Sequence, residues 1–352
     1  MEIINPIIDH ELWDHLISAH SNATIFHTSA WAKILNKTYN HRPFYLQLKN
    51  KDEKNSLLPI MEVDSPILGR RGVCLPFSDL CAPLYQDDAN LIIIKDFVEN
   101  LAAKRKWKYF ELRNNAFTVS DSSTSGEPVA PTFLGHELDL SIGSERLFAN
   151  FSSSTRRALR KSEKSQLEVC IEQTENAMQH FFKLHTLTRR RHGLPPQPYR
   201  FFQNIYQELI NKGLGFIVSA FQKEENRAIA ASVFLNYGDK AIYKFGASDE
   251  NQWNVRPNNF VMWKGIKYLA ESGFKSLHFG RTSPDQDGLN RFKLSFGSAE
   301  NSVYYTSYKF SSADWQTLLS KVSKQTCINK TLSMAPLLFN RLVGQLIYPH
   351  ID

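Results

Sequence analysis

Residues 275–297 read KSLHFGRTSPDQDGLNRFKLSFG. From Ser276 to Phe279 the side chains alternate, with Leu277 and Phe279 on one side, which is the period of a strand. Gly280 and Arg281 end that strand, and a polar loop follows from Thr282 to Gly288. In the segment 288–297, Leu289, Phe292 and Phe296 recur at i, i+3 and i+7, the spacing of one apolar helix face, which leaves Arg291 and Lys293 to point elsewhere. A strand end, a loop and two cations on an aromatic-backed turn make either an anion pocket or a buried strand followed by a surface helix. Spacing alone is compatible with both.

The chain has 352 residues, enough for two domains of ordinary size or one large one, and 42% hydrophobic content is enough to fill their cores. No apolar run approaches the length of a membrane span, and the opening MEIINPIIDHELW lacks a basic stretch followed by an apolar one, so neither a span nor a secretory signal is expected. Four scattered cysteines (Cys74, Cys81, Cys170, Cys327) show no zinc or redox spacing and point to reduced thiols in a cytoplasmic protein. The net charge of +7 favours an anionic partner: a phosphorylated substrate, a nucleic acid or a membrane surface.

Along the chain, a helix is predicted at 10–19 with Leu12, Leu16 and Ala19 on one face. A second follows at 30–38, capped by Thr28-Ser29 and carrying Trp31, Ile34 and Leu35. Strands are predicted at 44–48 and 57–63. The stretch 69–83 reads as loop, with Asp79 in apolar surroundings where an unpaired carboxylate would be costly. A helix at 91–103 and a strand at 108–112 precede a Ser/Thr/Pro-rich connection at 114–131. After a strand (133–140) and a helix (144–151) comes a Ser-capped helix to Lys164. Its cations at 156, 157, 160, 161 and 164 share one face, read either as a phosphate-binding surface or as a solvated one. A helix at 175–191 ends in Arg189-Arg190-Arg191, where the cations suit a cleft or simply the helix C-terminus, and another helix runs from 199 to 212. Strands at 215–221, 228–235 and 240–245, a helix at 258–272 and an amphipathic helical tail at 313–348 follow. Lys106–Arg113 and Gly273–Gly280 align as a helix end entering a strand, a weak internal repeat that suggests two copies of one α+β unit.

The chain carries no G-x-S-x-G elbow, P-loop, G-x-G-x-x-G or histidine metal spacing, and no familiar DNA-binding motif. His185 and His192 are read as capping or surface groups, with metal ligation the lesser alternative.

The ordered stretches Thr24–Trp31, Leu75–Leu80, Ser154–Lys164, Thr188–Gly193, Tyr243–Ser248, Arg256–Asn259 and above all Leu289–Gly297 resemble the FemA/FemB/FemX family of aminoacyl transferases and their acyltransferase relatives. The last stretch resembles that family's Phe-Lys-x-x-Phe-Gly signature. The resemblance implies an α+β fold of two GNAT-like domains, each a mixed, mostly antiparallel sheet flanked by helices, joined across a cleft. Domains are expected at 1–140 and 141–325, with a helical tail at 326–352. It further implies transfer of an acyl or aminoacyl group to an amine. Lys293 would steady a phosphate or the developing transition-state charge, and Asp79 is a candidate base. Arg189 or Arg190 and Tyr243 would line the acceptor channel. Trp31, Arg256, Arg156 and Arg160 complete the candidate substrate-binding set. No resident cofactor or metal is expected. The stretch Asn254–Asn259 lacks the glycines of an acetyl-CoA loop, which favours aminoacyl-tRNA, while the absence of a long helical hairpin speaks against it, so the donor stays open between the two. The acceptor class implied is an anionic cell-envelope, peptidoglycan or exopolysaccharide precursor, an amino sugar or a peptide, without stable membrane insertion. The alternative is a non-catalytic protein that binds nucleic acid or an anionic surface through its basic helix.

Overall fold

The computed structural model describes residues 1–49, 55–85, 88–113, 131–222, 227–310, 314–318 and 327–351. Two compact units emerge: Met1–Leu134 with Ser302–Lys321 and Ile347–Asp352, and Gly135–Asn301 with Val322–Leu346. In chain order the first holds β1 (Glu2–Ile4), α1 (His10–Ser18), α2 (Ser29–Tyr39), β2 (Arg42–Pro43), β3 (Tyr45–Leu48), β4 (Ser56–Leu58), β5 (Met61–Ser65), β6 (Gly69–Cys74), α3 (Asp88–Arg105) and β7 (Tyr109–Arg113). The second holds β8 (Phe133–Asp139), α4 (Ser144–Asn150), α5 (Ser153–Lys164), β9 (Glu168–Glu172), α6 (Glu175–Arg191), α7 (Tyr199–Glu208), β10 (Gly215–Phe221), β11 (Ala228–Tyr237), β12 (Lys240–Ser248), α8 (Pro257–Glu271), β13 (Ser276–His278), α9 (Asp287–Leu294) and β14 (Ala299–Val303). The chain then adds β15 (Tyr305–Lys309) and β16 (Asp314–Leu318) to the first unit, and α10 (Cys327–Met334) and α11 (Leu337–Ile347) follow.

Each unit is a mixed sheet flanked by helices. The first has a six-stranded sheet in the order β16-β15-β7-β6-β5-β2 and a small sheet β1-β3-β4; the second has a seven-stranded sheet in the order β14-β8-β13-β12-β11-β10-β9. In both, one helix makes the crossover between two parallel strands: α3 joins β6 to β7, and α8 joins β12 to β13. These are the two places where the repeat was read in the sequence. The units are discontinuous, whereas continuous ranges at 1–140 and 141–325 were expected. The reason is pairing: β15 lies antiparallel to β7, and β8 lies antiparallel to β13. The Ser/Thr/Pro-rich connection falls largely outside the described residues.

Local chemistry explains most boundaries. The Thr28 hydroxyl accepts from the Trp31 N–H to start α2, and Asn40 ends that helix in the left-handed region. The Thr174 hydroxyl caps α6 by accepting from the Ala177 N–H. At the other end of α6 the Gly193 N–H donates to the Arg190 carbonyl at 2.8 Å and the Leu194 N–H to the Arg189 carbonyl at 3.0 Å. With φ of +64° at Gly193, this is a Schellman stop.

Several expectations are corrected. The buried face of α1 is Trp13 and Ile17; Leu12 is exposed. Residues 69–74, read as loop, form strand β6, whose Gly72 leaves room for the Trp107 ring that a Cβ would strike. The strand predicted at 57–63 is two strands, β4 and β5. Strand β9 has Glu at both ends and was not anticipated. The tail contains strand β16 before its helices, because Asp314–Leu318 pairs with β15.

His185, read as a surface or capping residue, is buried among aromatic rings, 4.9 Å from Phe202 and 5.6 Å from Phe181 by centroid, with Nε2 at 2.8 Å from Gln197 Oε1. Burial, helped by the Arg189 charge, pushes its pKa down to about 3. The unfolded chain takes up this proton below the ordinary histidine value of 6.5 and the folded chain does not, so stability is full above that pH and falls as pH drops towards 3. We expect urea unfolding of His185→Gln to lose about 1.4 kcal/mol per pH unit of the wild-type slope between those limits. An unchanged slope would contradict the burial argument.

Candidate active site

Strand β12 is the centre of the second unit's chemistry. Against β11 its register jumps: Val233 lies opposite Phe245, but Phe234 lies opposite Tyr243, so Lys244 is an inserted, bulged residue. Against β13 its pairing stops early, at Ile242 opposite His278, although β12 continues to Ser248. The β12–β13 ladder runs only from Lys240 opposite Ser276 to Ile242 opposite His278. Two parallel strands that part in this way leave a crevice, a place where an extended ligand can lie.

The bulge also resets which side chains share a face. Across an inserted residue, positions i and i+3 line up, and the Tyr243 hydroxyl lies over Gly246, where any Cβ would overlap it. That hydroxyl bonds to Ser232, and burial, with this bond opposing it, raises the Tyr243 pKa to about 12. At neutral pH Tyr243 is therefore a hydrogen-bond donor and not a base. Its ring packs on Phe234 and Phe279 at 5.6 and 6.4 Å.

The end of β12 is tied down from three directions. The Ser248 N–H donates to Thr188 Oγ1 at 3.2 Å, while the Ser248 hydroxyl accepts from Trp253 Nε1 at 2.9 Å and from Asn258 Nδ2 at 3.0 Å. Arg191 lies over the Trp253 ring at 4.6 Å. The next residue, Asp249, pairs with Arg227 and accepts from the Asn251 N–H. The turn then enters α8 through Arg256, at φ +58°, and Pro257 at the first helical positions. Beneath it, the Ser162 hydroxyl of α5 bonds to the Val255 and Arg256 carbonyls at 2.9 and 3.0 Å. The first turn of α8, with its unpaired N–H groups and positive dipole end, is thus held beside the crevice without any glycine.

The other wall follows β13. Lys293, left by its spacing to point away from the apolar face of its helix, is buried. Its Nζ donates to the carbonyls of Gly280 at 2.9 Å and Arg281 at 3.1 Å. Around it, Phe296 packs on Phe292 and Phe151, with centroids 5.2 and 5.1 Å away. Nearby, His136 of β8 sits 2.7 Å from Asn290 Oδ1, and burial together with the Lys293 charge lowers its pKa. The ammonium therefore clamps the loop that leaves β13 from inside the core.

Of the other anticipated residues in this unit, Arg189 is turned back on its own helix end, with Nε 3.2 Å from the Pro195 carbonyl, and Arg190 is half-buried. Arg256 is exposed at the mouth of α8. Arg160 is exposed on α5, and Arg156 is half-buried with its guanidinium on the Ala149 carbonyl at 2.8 Å. The basic helix thus buries Thr155, Leu159 and Ser162 and presents most of its cations outward.

In the first unit, Trp31 Nε1 reaches the Pro76 carbonyl at 3.3 Å, beneath the turn that carries Asp79. Tyr305 Oη donates to the Asp79 carbonyl at 2.7 Å, and the Asp79 side chain is half-exposed. A cluster that spacing did not reveal lies next to it: Cys81 Sγ is 3.7 Å from His27 Nε2, and Cys74 Sγ donates to the Cys81 carbonyl at 3.3 Å. Burial resists ionisation of Cys81, but the Cys74 bond, His27 and Arg113 outweigh it and bring the thiol to about 5. All three residues are buried, and the separation of 54 positions between His27 and Cys81 hid them from a sequence reading. Past Cys74 the crevice between β6 and β7 is filled by the chain itself, where the Cys81 N–H donates to the Arg113 carbonyl at 2.7 Å.

Residues 149–294 match the family model described as an acetyltransferase (GNAT) domain. No curated protein matches the chain in sequence. Among solved structures it is similar to FemX, at 15% identity over 86% of this chain and 95% of that one, with a TM-score of 0.67. It is also similar to the C-terminal domain of a protein assigned as a lysylphosphatidylglycerol synthetase from Agrobacterium fabrum (14% identity, 87% and 93% covered, TM-score 0.54). A third likeness is to L-PGS from Bacillus licheniformis (14%, 95% and 96%, TM-score 0.53). The tandem GNAT-like, FemX-like fold expected from the sequence is borne out, and the matched domain supports the acyltransferase class.

The contact between Tyr243 and Gly246 yields a direct check. Gly246→Ala should displace the Tyr243 side chain and lower the unfolding free energy by about 1–3 kcal/mol, read by chemical denaturation. Wild-type stability in that variant would show that the two do not share a face.

Proposed function

We propose that this chain of tandem GNAT-like fold transfers an acyl or aminoacyl group to an amine of a cell-envelope or exopolysaccharide precursor, an amino sugar or a peptide. The observation that carries the reading is the opening of β12 from β13 beside the first turn of α8. The matched acetyltransferase domain, which spans all three elements, supports it. The donor lies along the open edge of β12, and its anionic part meets the N–H groups and positive end of α8. With no glycine in that turn, backbone approach is less close than in a glycine loop, so the donor is an aminoacyl-tRNA or an acyl-CoA held through fewer contacts. The reaction takes place in the cytoplasm, where both donors are made.

The chemistry asks little of the protein. The acceptor nitrogen forms a bond to the donor carbonyl carbon, the ester or thioester bond breaks, and the amine loses a proton. A dedicated triad is not required. Lys293 fixes the loop wall and places a buried positive charge on the side where the carbonyl oxygen becomes negative, in surroundings that strengthen its field. Tyr243 donates a hydrogen bond without ionising. Asp79 is carried forward as a candidate base, and Arg189, Arg190, Arg256, Trp31, Arg156 and Arg160 as substrate-binding residues.

Two experiments test this. Labelled aminoacyl-tRNA and a panel of acyl-CoAs, offered with amino-sugar and peptide acceptors, should yield a product in one pairing; no product in any of them would refute the reading. In that pairing Lys293→Ala should lower turnover by about 10²–10³-fold and Lys293→Arg should restore part of it, both measured on protein with native circular dichroism. Undiminished turnover in Lys293→Ala would remove the mechanism. Asp79→Asn, assayed separately, should flatten the acid limb of the pH profile if that carboxylate takes the proton, and an unchanged limb would exclude it.

A further inference from the structure

Helix α11 is unlike the other helices of the second unit in what it leaves uncovered. Its inner side is anchored. Asn340 is buried and its Nδ2 donates to the Leu332 carbonyl at 2.8 Å, Gly344 sits where a Cβ would strike the Pro196 carbonyl, and Arg341 lies over the Phe182 ring at 5.2 Å. Arg341 and Gln345 also help wall a cavity of about 330 Å³ with Phe182 and Tyr199. The register of the helix is therefore set, and the opposite side cannot turn inward. That side carries Leu338, Leu342 and Leu346 at i, i+4 and i+8, which are 73%, 59% and 72% exposed, with Phe339 at 51% and Met334 of α10 at 80%. Single exposed leucines are ordinary, but a helical row of this kind marks a surface that meets something apolar.

Charge indicates what that is. From Trp315 to Ile351 the sequence contains Lys321, Lys324, Lys330 and Arg341 and no Asp or Glu, so this short stretch supplies +4 of the chain's net +7. An apolar helical row in a stretch free of carboxylates suits a helix that lies in the plane of a lipid interface, with its leucines at the acyl boundary and Lys330, exposed on α10, among acidic headgroups, while Arg341 stays turned to Phe182. Docking of a second copy through the same row would bring two such cationic stretches together, which opposes self-association. None of the helices among the described residues is long and apolar enough to cross a membrane, so contact of this kind is peripheral.

We propose that the Met334–Leu346 surface docks the protein reversibly on an anionic phospholipid bilayer. The inference does not depend on the transferase reading, since a protein without activity would bind in the same way.

The test is flotation of the full chain with vesicles of phosphatidylcholine alone and of phosphatidylcholine mixed with phosphatidylglycerol. The protein should float with the anionic vesicles, remain behind with neutral ones and be released as salt is raised. Leu338→Ser combined with Leu342→Ser, both on the exposed side and so compatible with folding, should weaken binding at least about tenfold with unchanged circular dichroism. Lys330→Glu, which leaves the apolar row intact, should weaken it to a smaller degree. No association with anionic vesicles would overturn the proposal, as would equal binding to neutral ones or full binding by the double variant. So would a dimer that the double variant converts to monomer, because the row would then be covered by a second copy.

Discussion

The second unit depends on one backbone register. By inserting Lys244 against β11 and giving up β13 after Ile242, β12 turns a continuous sheet into one with an open seam. A seam of this kind exposes backbone groups that water must otherwise satisfy, and it persists only because its surroundings hold it apart. On one side Thr188, Trp253 and Asn258 converge on Ser248; on the other, the Lys293 ammonium secures the carbonyls of Gly280 and Arg281. Both clamps are polar and largely enclosed, so each is strong in place and costly to leave half-made.

The first unit shows what happens without such clamps. It has the same crossover, with α3 linking parallel β6 and β7, yet the chain folds back after Cys74 and Cys81 pairs with Arg113. The space that would be a seam is occupied by a turn held by Trp31 and Tyr305. The two copies of one architecture therefore differ in whether the polypeptide itself fills the gap. This is why the donor is assigned to the second unit. The buried contact of Cys81 with His27 belongs to that filling.

Much of this was legible in the sequence, for reasons that differ by element. The helices α2, α5, α6 and α8 and strands β10 to β13 announce themselves through caps and period, and the Gly193 stop is visible in the letters. Strand β6 was hidden because Gly69, Arg70 and Gly72 break the alternation of a strand, although the glycines are there to admit neighbouring side chains. Strand β16 was hidden within an apparently amphipathic tail, because its partner β15 is what makes it a strand. Lys293 was legible as important from its place in the Phe-Lys-x-x-Phe-Gly stretch, but its burial was not, since periodicity assigns charged residues to the outside. The bulge at Lys244 left no signal at all: Lys-Ala-Ile-Tyr-Lys-Phe-Gly reads as an ordinary strand, and only the register against β11 reveals the extra residue. Such features arise from long-range pairing, to which local patterns are blind.

Donor binding in the seam is the central proposal, and hydrogen–deuterium exchange tests it most directly. Acetyl-CoA and an aminoacylated tRNA would be added in turn to the intact protein while amide exchange is followed along the chain. The account predicts that the donor supporting transfer slows exchange at residues 243–247 and in the first turn of α8, with little change in the first unit's turn at 75–81. A donor that supports transfer while leaving those amides unprotected would contradict it.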